Sequence, residues 1–212
     1  ALQRAKREDG MQLYHCVGAR SLRAVWMLEE MGLDYDLVVL PFPPRVFKKE
    51  YLAVNPLGTI PWLVDGEARL SESSAICQYL GTTYGPTDLV VAPHAPDYAA
   101  YLNWMFFSDA TATFPQTLVL RYTELEPEER RIPQVAEDYR KWFLGRMRFV
   151  EAGLEGRDYL AAGRFTAADI TVGYAVYLAK RLKIDADLGP RVKDWYARIT
   201  ARDAFRRADA RR

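Results

Sequence analysis

Apolar and polar positions follow two different rhythms along this chain, and the change of rhythm divides it. "MQLYH" (Met11 to His15) has the short alternation of a strand. "ARSLRAVWMLEEMG" follows, with Leu22, Val25, Trp26, Leu28 and Met31 at helical spacing and Gly32 as a C-terminal stop. "YDLVVL" is a run of β-branched character, a second strand. A long proline-punctuated connection, "PFPPRVFKKEYLAVNPLG", leads to "PWLV" and "ARL", which flank Asp65-Gly66, a hairpin signal. "ESSAICQYLGTTY" then reads as a helix. The order β-α-β, loop, β-β-α predicts a mixed sheet with helices packed on it.

At "GPTDLVVAPHAP" (Gly85 to Pro96) prolines and a glycine break the pattern. Beyond it no strand run stands out. "DYAAYLNWMFFSDATATF" and "VAEDYRKWFLGRMRFVEAGL" carry apolar residues at helical spacing, and the aromatic density of "YLNWMFF" suits a helix buried between neighbours. The expected fold class is α/β plus all-α. Its parts are an N-terminal extension over 1–10, an α/β domain over 11–84, a linker over 85–96 and an all-helical domain over 97–212. Within the helical half, Thr166 and Asp169 form a capping box, and Phe165 with Ile170 fits a hydrophobic staple. That feature starts a buried helix and does no chemistry.

Composition narrows the function classes. The 212 residues are 50% hydrophobic and 27% charged, ordinary for a globular chain, and the net charge of +1 gives no bulk electrostatic case for nucleic acid. The arginines of "RITARDAFRRADARR" alternate with Asp203, Asp209 and apolar residues, the pattern of a solvated helical face. Two cysteines, Cys16 and Cys77, with two separated histidines argue against a disulfide framework or a four-ligand zinc site, so no metal is expected. A reducing, cytoplasmic setting is expected. The polar start has no secretory h-region, and no apolar stretch is long enough for a bilayer, so no membrane partner is expected.

Two short stretches carry candidate chemistry. Ile60-Pro61 stands at the mouth of a strand, where a residue without an N–H is tolerated. Were this bond cis, the Ile60 N–H and C=O would face outward, although cis is only ~5–6% of such bonds in folded proteins. Glu72-Ser73 opens a helix, whose N-terminal N–H groups suit a carboxylate. The Ser73 hydroxyl adds a hydrogen bond, and the Glu72 carboxylate can accept from an ammonium. Together they suit an extended peptide-like ligand with a free amino-acid end. The bland reading of Glu72-Ser73 is an ordinary helix start.

The succession of strand, "GARSLR" helix, strand, "NPLGTIP", "SESSAI", proline-containing linker, helices and "FTAADI" resembles a cytosolic glutathione S-transferase. The resemblance covers nearly everything after the first ten residues. It implies a thioredoxin-like N-terminal domain that binds glutathione as co-substrate, and a helical domain that supplies most of a second-substrate pocket. It also implies a homodimer with a detoxifying transferase activity on hydrophobic small-molecule electrophiles. Carried over by residue, the Ile60 backbone beside Thr59 meets the cysteinyl part of glutathione and Pro61 is the cis-proline. Glu72 and Ser73 take the γ-glutamyl amine and carboxylate. Arg45 takes the glycine carboxylate, with Lys48 and Lys49 as rivals.

The activator of the thiol is less direct. "GARSL" resembles the bacterial beta class, but Arg20 stands where that class has its cysteine. Theta-like classes place a serine near Ala19, and Tyr14 lies inside the strand rather than in the loop after it. Ser21 remains as the catalytic candidate, with Arg20 adding positive charge and Cys16 next in line. The structural readings are a plain N-cap for Ser21, a buried small hydrophobe for Cys16 and a solvated or dimer-interface arginine for Arg20. Trp104, Met105 and Ser108 are the candidate liners of the second-substrate pocket, in a segment whose aromatics also suit a core. The competing functions are a non-catalytic glutathione-binding scaffold and a specialised glutathione-dependent lyase, etherase or dehalogenase. A thiol-disulfide oxidoreductase is weaker, because no Cys-x-x-Cys is present.

Overall fold

The computed structural model describes residues 10–212, so the extension expected over 1–10 lies, apart from Gly10, outside the described residues. The chain divides into two compact units: one runs to Thr87 and takes back Asp203–Arg212, and the other is Asp88–Arg202.

The first unit is built on a four-stranded sheet in the order β2-β1-β3-β4. β1 (Gln12–His15) runs parallel to β2 (Asp36–Val39), and α1 (Leu22–Met31) makes the crossover that a parallel pair requires. β3 (Trp62–Asp65) is antiparallel to β1, and β4 (Ala68–Leu70) is antiparallel to β3. α3 (Ser73–Thr83) follows. This arrangement is thioredoxin-like. Leu13 and Leu63 fill the sheet's core, and α1 is buried without a break from Leu22 to Glu29. Gly32 ends α1 in the left-handed region at φ 58°, where a side chain would be strained, and the next N–H, of Leu33, reaches back 3.1 Å to the Leu28 carbonyl.

The hairpin turns one residue later than the Asp65-Gly66 signal implies. Asp65 pairs with Ala68 inside the ladder, and Gly66-Glu67 makes the turn with Gly66 at φ 59°. The cause is tertiary: the buried Asp65 carboxylate accepts hydrogen bonds from the Tyr79 and Tyr84 hydroxyls on and after α3, which keeps it in the strand.

The second unit is helical, as its rhythm predicts. α4 (Tyr98–Phe107) continues through a π-helical turn, Ser108–Thr113, into α5 (Phe114–Leu120), and a second π-helical turn covers Arg121–Leu125. Pro115 has no N–H to give to the preceding turn, and the Thr113 hydroxyl bonds the Ser108 carbonyl at 2.6 Å within the widened segment. α6 (Pro133–Gly153), α7 (Ala167–Arg181) and α8 (Pro190–Thr200) complete the unit. α7 is its central helix, and the capping box at Thr166 and Asp169 is present. Asp169 does more than cap. Its carboxylate also accepts from the Leu160 N–H at 3.0 Å and the Trp195 indole at 2.9 Å, tying α7 to the loop before it and to α8.

α9 (Asp203–Asp209) packs on α1 in the first unit, whereas the sequence reading runs the helical domain through residue 212. Its arginines are not all a solvated face. Phe205 meets Trp26 edge-on at 4.7 Å. Arg207 and Arg211 close on the buried Glu29 carboxylate at 2.9 and 2.7 Å, and the Tyr35 hydroxyl donates to it at 2.9 Å. Burial pushes the Glu29 carboxyl up, but bonds from Arg207, Arg211 and Tyr35 outweigh it and hold the group below its ordinary range.

Candidate functional site

The β3–β4 hairpin gathers the two stretches singled out in the sequence. Leu63 stands opposite Leu70, and that register carried past the strand ends brings Ile60 and Pro61 to the same end as Ser73 and Glu72. The Ile60-Pro61 bond is cis, as are Phe42-Pro43 and Gly85-Pro86. Ile60 packs its side chain on a cluster of Cys16, Ala19, Leu40 and Tyr51. Among the described residues its backbone N–H and carbonyl have no hydrogen-bond partner. A strand-like edge with an unused donor and acceptor is ready to pair with another backbone.

The loop before Ile60 is held by residues the sequence reading did not select. Buried Asn55 bonds the Thr59 carbonyl at 2.8 Å through its side-chain amide, and its side-chain oxygen accepts from the Leu57 N–H. The Tyr51 hydroxyl reaches the same Thr59 carbonyl at 2.8 Å. Thr59 itself is exposed, and its carbonyl is spent on this scaffold. Asn55 lies inside "NPLGTIP"; a polar residue between proline and an apolar run is the signal that was available. Gly58, at φ 60°, lies against α2 (Pro44–Phe47), where an added Cβ would sit 2.7 Å from the Arg45 Cβ. Arg45 is therefore beside this loop, exposed, and has no ion pair among the described residues. Lys48 pairs with Glu50 at 2.7 Å, and Lys49 is exposed at the start of the next helical turn.

At the start of α3, Glu72 is the N-cap, in extended backbone and exposed, and its carboxylate makes no capping bond. Ser73 is buried, and its Oγ accepts from the Arg23 guanidinium at 2.9 Å. Arg23 went unselected although the signal was there: a charged residue on a helix otherwise apolar around it.

The start of α1 is different. Ser21 is fully buried, and its hydroxyl lies 2.8 Å from His15 Nδ1. The same oxygen accepts from the Cys16 N–H at 3.2 Å and lies 3.4 Å from the Cys16 carbonyl. It caps no α1 amide. The hydroxyl is thus turned into the strand that precedes the loop. Burial lowers His15 from 6.5 to about 4, so the imidazole is neutral at physiological pH. Cys16 is buried, its thiol points at the Pro41 carbonyl at 3.7 Å, and burial pushes it up to about 12. A thiol so placed is no nucleophile at neutral pH. Arg20 is partly exposed in the loop between them.

The three pocket candidates pack within the helical unit. Trp104 is buried against Phe107 and Phe149 at 5.3 and 5.1 Å, and Gly153 makes room for its ring: an added Cβ would come within 2.7 Å. The Met105 sulfur accepts from the Thr171 hydroxyl at 3.7 Å. Ser108 is fully buried and donates to the Met105 carbonyl at 2.7 Å. Their alternative reading as core describes these surroundings. Among the described residues no group of His, Cys, Asp and Glu could hold a metal, and no helix is long and apolar enough to cross a membrane.

A hairpin that sets an unpaired peptide edge beside an acidic helix start suits a small peptide with a free amino-acid end. Residues 19–83 match the model of the glutathione S-transferase N-terminal domain, and residues 118–203 match that of the C-terminal domain. The chain belongs to the glutathione S-transferase family. Glutathione S-transferase 3 of Zea mays is 30% identical over 201 residues, covering 89% of this chain and 88% of that protein. Glutathione S-transferase 3 of Schizosaccharomyces pombe is 27% identical over 205 residues, covering 92% and 84%. Among solved structures, the glutathione transferase URE2P6 from Phanerochaete chrysosporium, in complex with oxidized glutathione, superposes with a TM-score of 0.82 at 26% identity, covering 95% of each chain. The family's N-terminal model begins at Ala19, after β1, so His15 and Cys16 lie outside the matched segment.

Proposed function

We propose that this chain is a glutathione transferase: it holds glutathione on its first unit, stabilises the thiolate, and presents it to a hydrophobic electrophile. One observation carries the reading most directly. The unpaired Ile60 backbone stands at the same hairpin end as Glu72 and Ser73. Ile60 pairs with the cysteinyl backbone, Glu72 takes the γ-glutamyl ammonium, Ser73 takes its carboxylate, and Arg45 takes the glycine carboxylate.

For the thiol, the inward Ser21 hydroxyl supports a positioning role: it pins the loop through His15 and Cys16. Positive potential at the start of α1 and the Arg20 charge then stabilise the sulfur anion. The subclass we propose is beta/theta-like and bacterial, without the beta-class cysteine, on the strength of the "GARSL" loop. A cytoplasmic detoxifying role and a homodimer belong to the same reading, the latter supported by exposed Phe47, Leu57 and Phe106.

The test is an ultraviolet difference titration of bound glutathione against pH, together with conjugation of an aromatic halide. A thiolate band with a pKa well below that of the free thiol, and conjugate formed, are expected. A second reading, a glutathione-binding protein without catalysis, has an observation of its own: neither Cys16 nor Ser21 offers a side chain to a bound thiol. Glutathione bound with an unshifted thiol, and no conjugate from halides, epoxides or ethers, would establish that reading instead.

A further inference from the structure

Two buried side chains converge on a single oxygen in the loop before Ile60. The Thr59 carbonyl accepts from the Tyr51 hydroxyl and from the Asn55 side-chain amide, each at 2.8 Å. Tyr51 is 2% exposed and Asn55 is fully buried, so neither donor is lost to bulk water. Asn55 Nδ2 also lies 3.4 Å from the Tyr51 hydroxyl oxygen, which closes the three groups into one network. The donors are themselves held in place. The Asn55 N–H bonds the Tyr51 carbonyl at 2.9 Å, and the Gly58 N–H bonds the Asn55 carbonyl at 2.8 Å. The Tyr51 ring belongs to the cluster of Cys16, Ala19 and Leu40 and lies 5.4 Å from the Tyr14 ring. Burial pushes the Tyr51 phenol up to about 12, so it keeps the proton it donates throughout the physiological range.

The consequence lies one bond further along the chain. The peptide from Thr59 to Ile60 is trans, and in a trans peptide the C=O and the N–H that follows it point in opposite directions within one plane. A carbonyl fixed inward therefore fixes the Ile60 N–H outward, away from the buried pair. That N–H has no partner among the described residues. Donors on the carbonyl also polarise the amide, which strengthens its N–H as a donor. We infer that Tyr51 is a positioning residue of this site: together with Asn55 it sets the plane of the Thr59-Ile60 peptide and so aims the Ile60 N–H at the carbonyl of the ligand's cysteinyl residue. The inference rests on the pairing of Ile60 with glutathione proposed above. Tyr51 acts through the Thr59 carbonyl and needs no contact with the ligand.

Tyr51→Phe keeps the ring and its packing and removes only the hydroxyl, while Asn55 still satisfies the Thr59 carbonyl. The dissociation constant of glutathione is measured by calorimetry on wild type and variant. Amide proton resonances of both are recorded by NMR with and without saturating glutathione. In wild type the Ile60 amide proton moves downfield on binding. In Tyr51→Phe the affinity falls roughly fivefold, the loss of about one hydrogen bond, and the Ile60 displacement shrinks. The Ser73 amide, at the other end of the site, is displaced as in wild type. An Ile60 displacement unchanged by Tyr51→Phe overturns the proposal whatever the affinity. Equal shrinkage at Ile60 and Ser73 also overturns it, since the hydroxyl would then only support the loop as a whole. A wild-type Ile60 amide that stays in place at saturating glutathione overturns the pairing beneath the proposal, and the proposal with it. Should Tyr51→Phe fail to fold, a fluorotyrosine placed at position 51 decides. Its phenol is more acidic and a stronger donor, so the Ile60 displacement grows; a displacement no larger than in wild type overturns the proposal.

Discussion

Two serines stand at two helix starts in the first unit, and the fold uses them in opposite ways. Ser21 turns inward at the start of α1, where its hydroxyl serves His15 and Cys16. Ser73 is held from behind by Arg23 at the start of α3, next to an N-cap glutamate whose carboxylate makes no capping bond. Sequence alone gives both the same description, a small hydroxyl residue opening a helix, which any helix favours. What separates them is what stands behind each oxygen. Behind Ser21 is a buried neutral imidazole; behind Ser73 is a buried cation. The first arrangement ties a hydroxyl to the preceding strand, and the second ties one to a charge on the neighbouring helix.

The sharpest way to break this comparison is with acid. The His15 imidazole titrates near 6.5 when unfolded and near 4 when folded. Between those values the unfolded chain holds the extra proton, so this group's contribution to stability is complete above 6.5 and is lost as pH falls toward 4. The whole loss is about 3 kcal/mol. Denaturant titrations across that window, run on wild type and His15→Gln, isolate it. The wild type is expected to lose stability more steeply. Parallel profiles would mean that His15 is solvated, and the start of α1 would become a candidate for surface chemistry after all.

Next in size is the other helix start. Glu72→Gln removes the charge assigned to the ligand's ammonium. A charge-assisted hydrogen bond is worth about 2 kcal/mol, so glutathione affinity is expected to fall roughly thirtyfold. The melting temperature should hardly change, because the exposed carboxylate caps nothing. Calorimetric titration of glutathione against the variant reads the first effect and a thermal melt the second. Unchanged affinity would remove Glu72 from the site.

The comparison also explains which parts of this molecule were legible in its sequence. The capping box at Thr166 and Asp169, the Gly32 stop and the strand–helix order depend on residues a few positions apart. Ile60-Pro61 and Glu72-Ser73 were legible as a pair because a hairpin joins them, and a hairpin's register follows from its turn. Even there Asp65 moved the turn by one residue, through tyrosines 14 and 19 positions away. What stayed hidden has longer reach. Arg23 meets Ser73 across 50 positions, and the α9 arginines meet Glu29 across 178 and 182. Periodicity marks that a side chain sits on a buried face, but not which distant partner makes its burial tolerable. The orientation of the Ser21 hydroxyl is hidden for the same reason on a smaller scale, since it is decided by His15 on the preceding strand.

The smallest expected effect is the most informative about mechanism. Ser21→Ala leaves the Cys16 N–H and the His15 ring short of one partner each, inside a site with no room for bulk water. The expected cost is about 1–2 kcal/mol of stability, measured by denaturant unfolding. Its effect on the thiol should be close to nothing. If the charge of Arg20 and the positive end of α1 stabilise the sulfur, both survive the substitution, and the thiolate band of bound glutathione keeps its midpoint. Arg20→Gln, which leaves the buried bonds of Ser21 in place, should raise that midpoint instead. A thiolate lost in Ser21→Ala and kept in Arg20→Gln would reverse the assignment. The inward hydroxyl would then have to turn out when glutathione binds, and the two helix starts would differ only in the absence of ligand.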